Sequence, residues 1–191
     1  MHRLTNTDSL LPEMQHSGRS EPSEANPNDL LTPKKIFFTS GTGRHRDPLV
    51  SFELALRDAG IHKFNLVPVS SIYPPGCEMV DLESGLNTLN PGQILFCVIA
   101  RKTSSEQGKK IFASIGTAVP EDDIHHGYIS EYSGDCNEGG GEDEEGHYSE
   151  KMAAEMLETA YGIKPARTFN ITEKAEVRDN TTVVAAAVLV L

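Results

Sequence analysis

Basic residues are scarce in this chain. Lys and Arg number 17 against 28 Asp and Glu, for a net charge of -11. A phosphate backbone needs cations to neutralise it, so nucleic acid is not an expected partner. An anionic membrane surface is not expected for the same reason. Long apolar runs are missing as well, and no stretch reaches the length of a membrane-spanning helix. The N-terminus has no charged segment followed by an apolar one, so no secretory signal is expected. Cysteine is sparse. Cys77, Cys97 and Cys136 stand far apart, with no CxxC pair and no zinc pattern. Reduced structural thiols in the cytoplasm are the expectation. No G-x-S-x-G elbow marks a hydrolase nucleophile. The stretch "TSGTGRHRDP" supplies Gly41 and Gly43 but not the remaining glycine of a phosphate cradle, and reads as a flexible strand-to-helix loop.

What is present is enough for one domain with a real core: 191 residues, 38% of them apolar. Residues 1–33 are polar and rich in Ser, Asn, Glu and Pro, and read as a disordered extension. Residues 34–191 read as the folded domain. "KKIFFTSG" is a first strand. "RDPLVSFELALRDAG" is a helix, with Asp47 suited to the N-cap, Pro48 to the first turn and Gly60 to the stop. Its expected apolar stripe is Leu49, Phe52, Leu56 and Ala59. "KFNLVPVS", "GQILFCVIA", "KKIFASIGTAVP" and "HGYISEYSG" read as strands. "CNEGGGEDEEGH" reads as a solvated, mobile acidic loop. "YSEKMAAEMLETAYG" is a second helix, with Tyr148, Met152, Met156 and Ala160 along one face and Gly162 as its stop. "RTFNITEKAEV" and "TTVVAAAVLVL" close the chain as strands, the last buried on both faces. About seven strands and two helices in this order predict an α+β layered sandwich.

The candidate chemistry centres on "FNLVPVSSIYPPG", an apolar strand ending on Ser70 and Ser71 against Pro74 and Pro75. Taken alone, such a pair is an ordinary strand end. Glu53 stands at the rim of the first helix's apolar face. It serves equally as a surface partner of Arg57 or as a carboxylate held ready for a cation. Glu131 shares a strand face with Ile129, opposite Tyr128 and Tyr132. It is either a solvated edge residue or a partly buried proton donor. His125 and His126 are adjacent, point opposite ways if in a strand, and make a poor chelate. With His45 and His147 placed in other loops, no metal site is expected.

Over residues 34–191 the sequence closely resembles the pyruvoyl-dependent arginine decarboxylases. The resemblance rests on Asn65, Ser70, Ser71, Ile72, Pro74 and Pro75, supported by the downstream "HGYISEY" and the small-residue final strand. It implies an αββα four-layer sandwich, assembled as homotrimers or hexamers with sites between protomers. It implies self-cleavage between Ser70 and Ser71 in a tight, strained turn, giving a 1–70 chain and a 71–191 chain. Residue 71 then carries a covalent pyruvoyl group, which takes the substrate amine as a Schiff base and acts as electron sink. It further implies Glu131 as the proton donor, Asn65 as the residue orienting the scissile carbonyl, and Glu53 as the carboxylate that receives the arginine guanidinium. The same chemistry on histidine, ornithine or lysine, and an uncleaved arginine-binding protein, are the alternatives.

Overall fold

The computed structural model describes residues 30–136, 141 and 143–191. Most of the expected N-terminal extension, and residues 137–140 and 142 of the expected acidic loop, lie outside the described residues. The order is β1 (Lys35–His45), α1 (Pro48–Asp58), β2 (Asn65–Pro68), β3 (Ile72–Tyr73), β4 (Glu78–Met79), α2 (Leu82–Leu86), β5 (Ile94–Ser104), β6 (Lys110–Val119), β7 (Gly127–Asp135), α3 (Glu144–Tyr161), β8 (Arg167–Glu176) and β9 (Asn180–Val190). The strands form two sheets, β2-β5-β9-β1-β4 and β3-β7-β6-β8. One core lies between the sheets, built from Ile36, Val98, Ile111, Ile115, Ile129 and the odd-numbered residues of β9. A second packs α1 and the α2 region on the five-stranded sheet, and a third packs α3 on the four-stranded one. The layers therefore run α, β, β, α, as the resemblance implies. Among the described residues no helix is long and apolar enough to cross a membrane.

β9 explains why its sequence is so uniformly small and apolar. It lies at the centre of its sheet, between β1 and β5. Val183, Ala185, Ala187 and Leu189 face the other sheet, while Val184, Ala186, Val188 and Val190 face the helix layer. A strand covered on both faces has no position left for a polar residue.

The expected α1 stripe holds for Phe52, Leu56 and Ala59, which pack in the core, and fails at Leu49, while the expected α3 stripe is corrected. In α1 the fully buried residues are Ser51 and Ala55, followed by Ala59, and Leu49 is 73% exposed. In α3 they are Glu145, Gly146, Ser149, Ala153 and Leu157, while Tyr148 is 48% exposed. Each helix presents its small residues, because each lies unusually close to its sheet. Gly41 and Gly43 belong to β1, not to a loop, and they permit that approach. A Cβ at Gly43 would fall on the Ser51 carbonyl, and one at Gly116 on the Ser149 carbonyl. Part of the expected acidic loop is also helical, since α3 begins at Glu144 and takes in His147. His45 is the last residue of β1 and not a loop residue.

The interior carries one unmet polar group among the described residues. Thr117 is fully buried on β6 and its hydroxyl has no hydrogen-bond partner. An unpaired buried hydroxyl costs about 1–3 kcal/mol. Thr117→Val keeps the shape and removes that cost. It should raise stability by about 1 kcal/mol, read as a higher denaturation midpoint at unchanged slope.

Candidate active site

The two sheets are joined at one side by the serine pair. β2 is the edge strand of the five-stranded sheet, bound in parallel to β5. β3 is the edge strand of the four-stranded sheet, bound antiparallel to β7. Between them lie only three residues, Val69, Ser70 and Ser71. The Val69 N–H donates to the Cys97 carbonyl (2.9 Å), continuing the β2–β5 ladder. The Ile129 N–H donates to the Ser71 carbonyl (2.8 Å), continuing the β3–β7 ladder. The Ser70–Ser71 peptide is therefore the bond that leaves one sheet and enters the other.

That bond sits in a three-residue turn. The Ile72 N–H donates to the Ser70 carbonyl at 2.9 Å, the i to i+2 bond of a γ-turn centred on Ser71. Among the described residues only Asp179 combines a side chain with positive φ. Ser71 thus lacks positive φ, and the γ-turn is of the inverse kind. What holds the bend is the hydrogen bond, together with β-ladder bonds on either side. Neither serine hydroxyl has a hydrogen-bond partner among the described residues. Ser70 is exposed and Ser71 half-buried.

A cavity of about 440 Å³ opens beside Ser70. Leu31, Pro33, Val69, Ile72, Phe96 and Leu189 give it mainly apolar walls. Residues 31–33, assigned to the extension on sequence grounds, contribute one of those walls.

Glu131 is close by. Ile72 pairs with Tyr128, and the Ile129 amide reaches Ser71, so residue 71 lies opposite residue 129. Glu131 is two positions further along β7, on the same face as the buried Ile129 and across from Ile115. Diagonal neighbours of this kind are roughly 7–8 Å apart. β3 is only two residues long, so on that side no strand lies beside Glu131, and the carboxylate is exposed at the sheet edge. Its proximity to the other sheet registers on Cys97. Burial pushes that thiol up to about 11, and the Glu131 charge pushes it the same way. Burial also takes the Cys77 thiol to about 11. Such thiols are inert, and all three cysteines are free.

The other two expected site residues stand apart within one chain. Asn65 begins β2, roughly 16 Å along an extended strand from Ser70. Its side-chain amide donates to the Gly92 carbonyl at 2.8 Å. Glu53 is on α1, across the five-stranded sheet, where Arg57 Nε approaches its two oxygens at 2.7 and 2.8 Å. His125 and His126 precede β7 and do not point opposite ways. Both rings pack on Tyr161, at 4.6 and 5.1 Å, and His125 Nδ1 is 3.0 Å from Asp122. No metal-binding cluster is found among the described residues. The backbone donors at Ile72 and Ile129 have no sequence signature, since every residue except proline carries an amide.

The crossover of two serines between the edges of facing sheets, with a carboxylate on the adjoining strand, brings together Ser70, Ser71 and Glu131 of the expected site. The pyruvoyl-dependent arginine decarboxylase family model matches residues 35–191. A pyruvoyl-dependent arginine decarboxylase of Archaeoglobus fulgidus is 65% identical over 161 residues, covering 84% of this chain and 100% of its own length. A second from the same organism is 57% identical, with 84% and 99% covered. One from Methanocella arvoryzae is 53% identical, with 84% and 98% covered. The chain belongs to the pyruvoyl-dependent arginine decarboxylase family, and its cofactor is a covalently bound pyruvoyl group. The residues present fit that group. Position 71 is a serine, its carbonyl is already gripped by the Ile129 amide, and open space adjoins it on the Ser70 side.

Proposed function

We propose that this protein decarboxylates L-arginine to agmatine and carbon dioxide, after cutting itself between Ser70 and Ser71. The observation that carries the reading is the serine crossover held between two sheets. In the cut, the Ser71 hydroxyl oxygen attacks the Ser70 carbonyl carbon. The carbon–nitrogen bond breaks, and the hydroxyl proton ends on the Ser71 nitrogen, leaving an ester and a free amine. Loss of the Ser71 Cα proton then expels the Ser70 carboxylate, and water replaces the nitrogen as ammonia to leave the keto group.

The two products are interleaved. Residues 1–70 supply β1, α1 and β2, and β1 remains bound along its full length to β9 of the other product. β4 flanks its other side, and β2 stays on β5. The cut therefore leaves the sandwich intact.

When formed, the pyruvoyl group supplies a carbonyl that takes the substrate amine and accepts the electrons released with carbon dioxide. Glu131 delivers the proton to the substrate carbon that has lost its carboxylate. Its place on the strand beside residue 71 supports this role. Glu53 receives the guanidinium, which a carboxylate binds through two parallel hydrogen bonds. Asn65 orients the group around the scissile bond. Glu53 and Asn65 stand far from residue 71 in one chain, so the site is completed between protomers of a homotrimer or hexamer. The enzyme works in the cytoplasm on a small molecule, without nucleic acid or membrane. Its acidic balance and its free thiols, two of them buried, support that setting.

The test is an intact-mass spectrum under denaturing conditions, followed by an arginine assay. Two fragments divided at 70/71, the second lighter by one ammonia than a serine-started chain, are expected, with agmatine as product. A single full-length mass, or a second fragment that begins with serine, would overturn the reading.

A further inference from the structure

We infer that the Ile72 amide is a catalytic group of the self-cleavage, acting as the donor that stabilises negative charge on the Ser70 carbonyl oxygen. This rests on the proposed cut at 70/71. When the Ser71 oxygen adds to the Ser70 carbon, the electron pair of the carbonyl moves onto its oxygen. In the uncut chain that oxygen already accepts the Ile72 N–H at 2.9 Å, within the range of an oxyanion donor. The donor lies two residues ahead of the carbonyl it serves, so the γ-turn itself sets its aim.

Two features keep that amide available. Ile72 stands opposite Tyr128, one position on from the pair in which the Ile129 N–H donates to the Ser71 carbonyl, so its own N–H points away from β7. β3 is an edge strand with no neighbour on that side, and the N–H turns back on Ser70. The residues on either side are fixed to different sheets, Val69 to Cys97 and Ser71 to Ile129. The bend cannot relax without breaking a ladder bond. The donor is therefore in place before reaction and need not reorganise as charge develops. The tight turn assists the cut here by aiming a hydrogen bond.

The test replaces Ile72 by its α-hydroxy acid, which deletes the N–H and keeps the side chain. The full-length precursor is made by cell-free synthesis, and fragment formation is timed on denaturing gels. Loss of one such donor should slow the cut about a hundredfold. The new ester between residues 71 and 72 could itself hydrolyse, so fragment masses must assign the break to 70/71. Ile72→Pro removes the same N–H by ordinary mutagenesis, with its fold checked by circular dichroism. Ile72→Val keeps the N–H and should cut at the native rate. Native-rate cutting at 70/71 by the α-hydroxy acid variant would overturn the inference. So would a Val variant that slows as much as the other two. Ser71→Ala separates this from the underlying reading: if that variant is still cut at 70/71, the serine mechanism itself fails.

Discussion

Ser71→Ala should yield one uncut chain of 191 residues with no decarboxylase activity. The substitution deletes the only atom that can attack the Ser70 carbonyl from within the turn, and with it the source of the pyruvoyl group. The fold should survive. The Ser71 side chain is half-buried and has no hydrogen-bond partner among the described residues, and its carbonyl bond to Ile129 is a backbone contact that alanine retains. Denaturing electrophoresis and mass spectrometry provide the check. Normal circular dichroism and melting would separate failed chemistry from failed folding. Two fragments from this variant would remove the mechanism.

Glu131→Gln should separate cofactor formation from turnover. The cut depends on Ser71, the Ser70 carbonyl and the turn that holds them, none of which requires a carboxyl proton from β7. Decarboxylation does require a proton on the substrate carbon. Glutamine keeps the size of glutamate and can accept and donate hydrogen bonds, but it has no such proton to give. The chain should be processed to a second fragment of the pyruvoyl mass. Turnover should then fall about a hundred- to ten-thousand-fold, the usual contribution of a positioned acid. Exposure of Glu131 in a single chain is no obstacle in the proposed assembly, in which a neighbouring protomer covers that sheet edge. Full turnover in this variant would remove Glu131 as the acid. Loss of cutting would mean that it serves the processing step instead.

Much of the architecture is legible locally. Asp47 caps α1 by accepting from the amides of Leu49 and Val50, as its place before Pro48 suggests. Gly60 follows the helix with φ 77. The long strands follow from β-branched runs bounded by turn residues. The short elements β3, β4 and α2 escape such a reading, since two to five residues carry no periodicity. The helix stripes mislead for a different reason. A search for amphipathic spacing favours the largest apolar residues, Leu49 or Tyr148. Where a helix packs against glycines, contact falls to the smallest ones, Ser51 and Ala55 or Gly146 and Ser149. The spacing of Gly41 and Gly43 is a strand signal of close approach, but it becomes readable as one only when the partner helix is known.

By itself the sequence determined the layered α+β composition, the acidic charge, and the serine pair on which the proposed self-cleavage rests. These are covalent or near-neighbour properties, fixed by residue identity and short spacing. The tertiary structure alone decided where that pair lies. It set Ser70 and Ser71 between two sheets, and brought the Ile129 amide and Glu131 to residue 71. It turned the Ile72 N–H onto the Ser70 carbonyl, and left Glu53 and Asn65 at a distance within one chain. Each of these depends on which strands pair and in what register. Register is set by burying whole faces of distant segments together, a sum over the entire core that no short stretch contains.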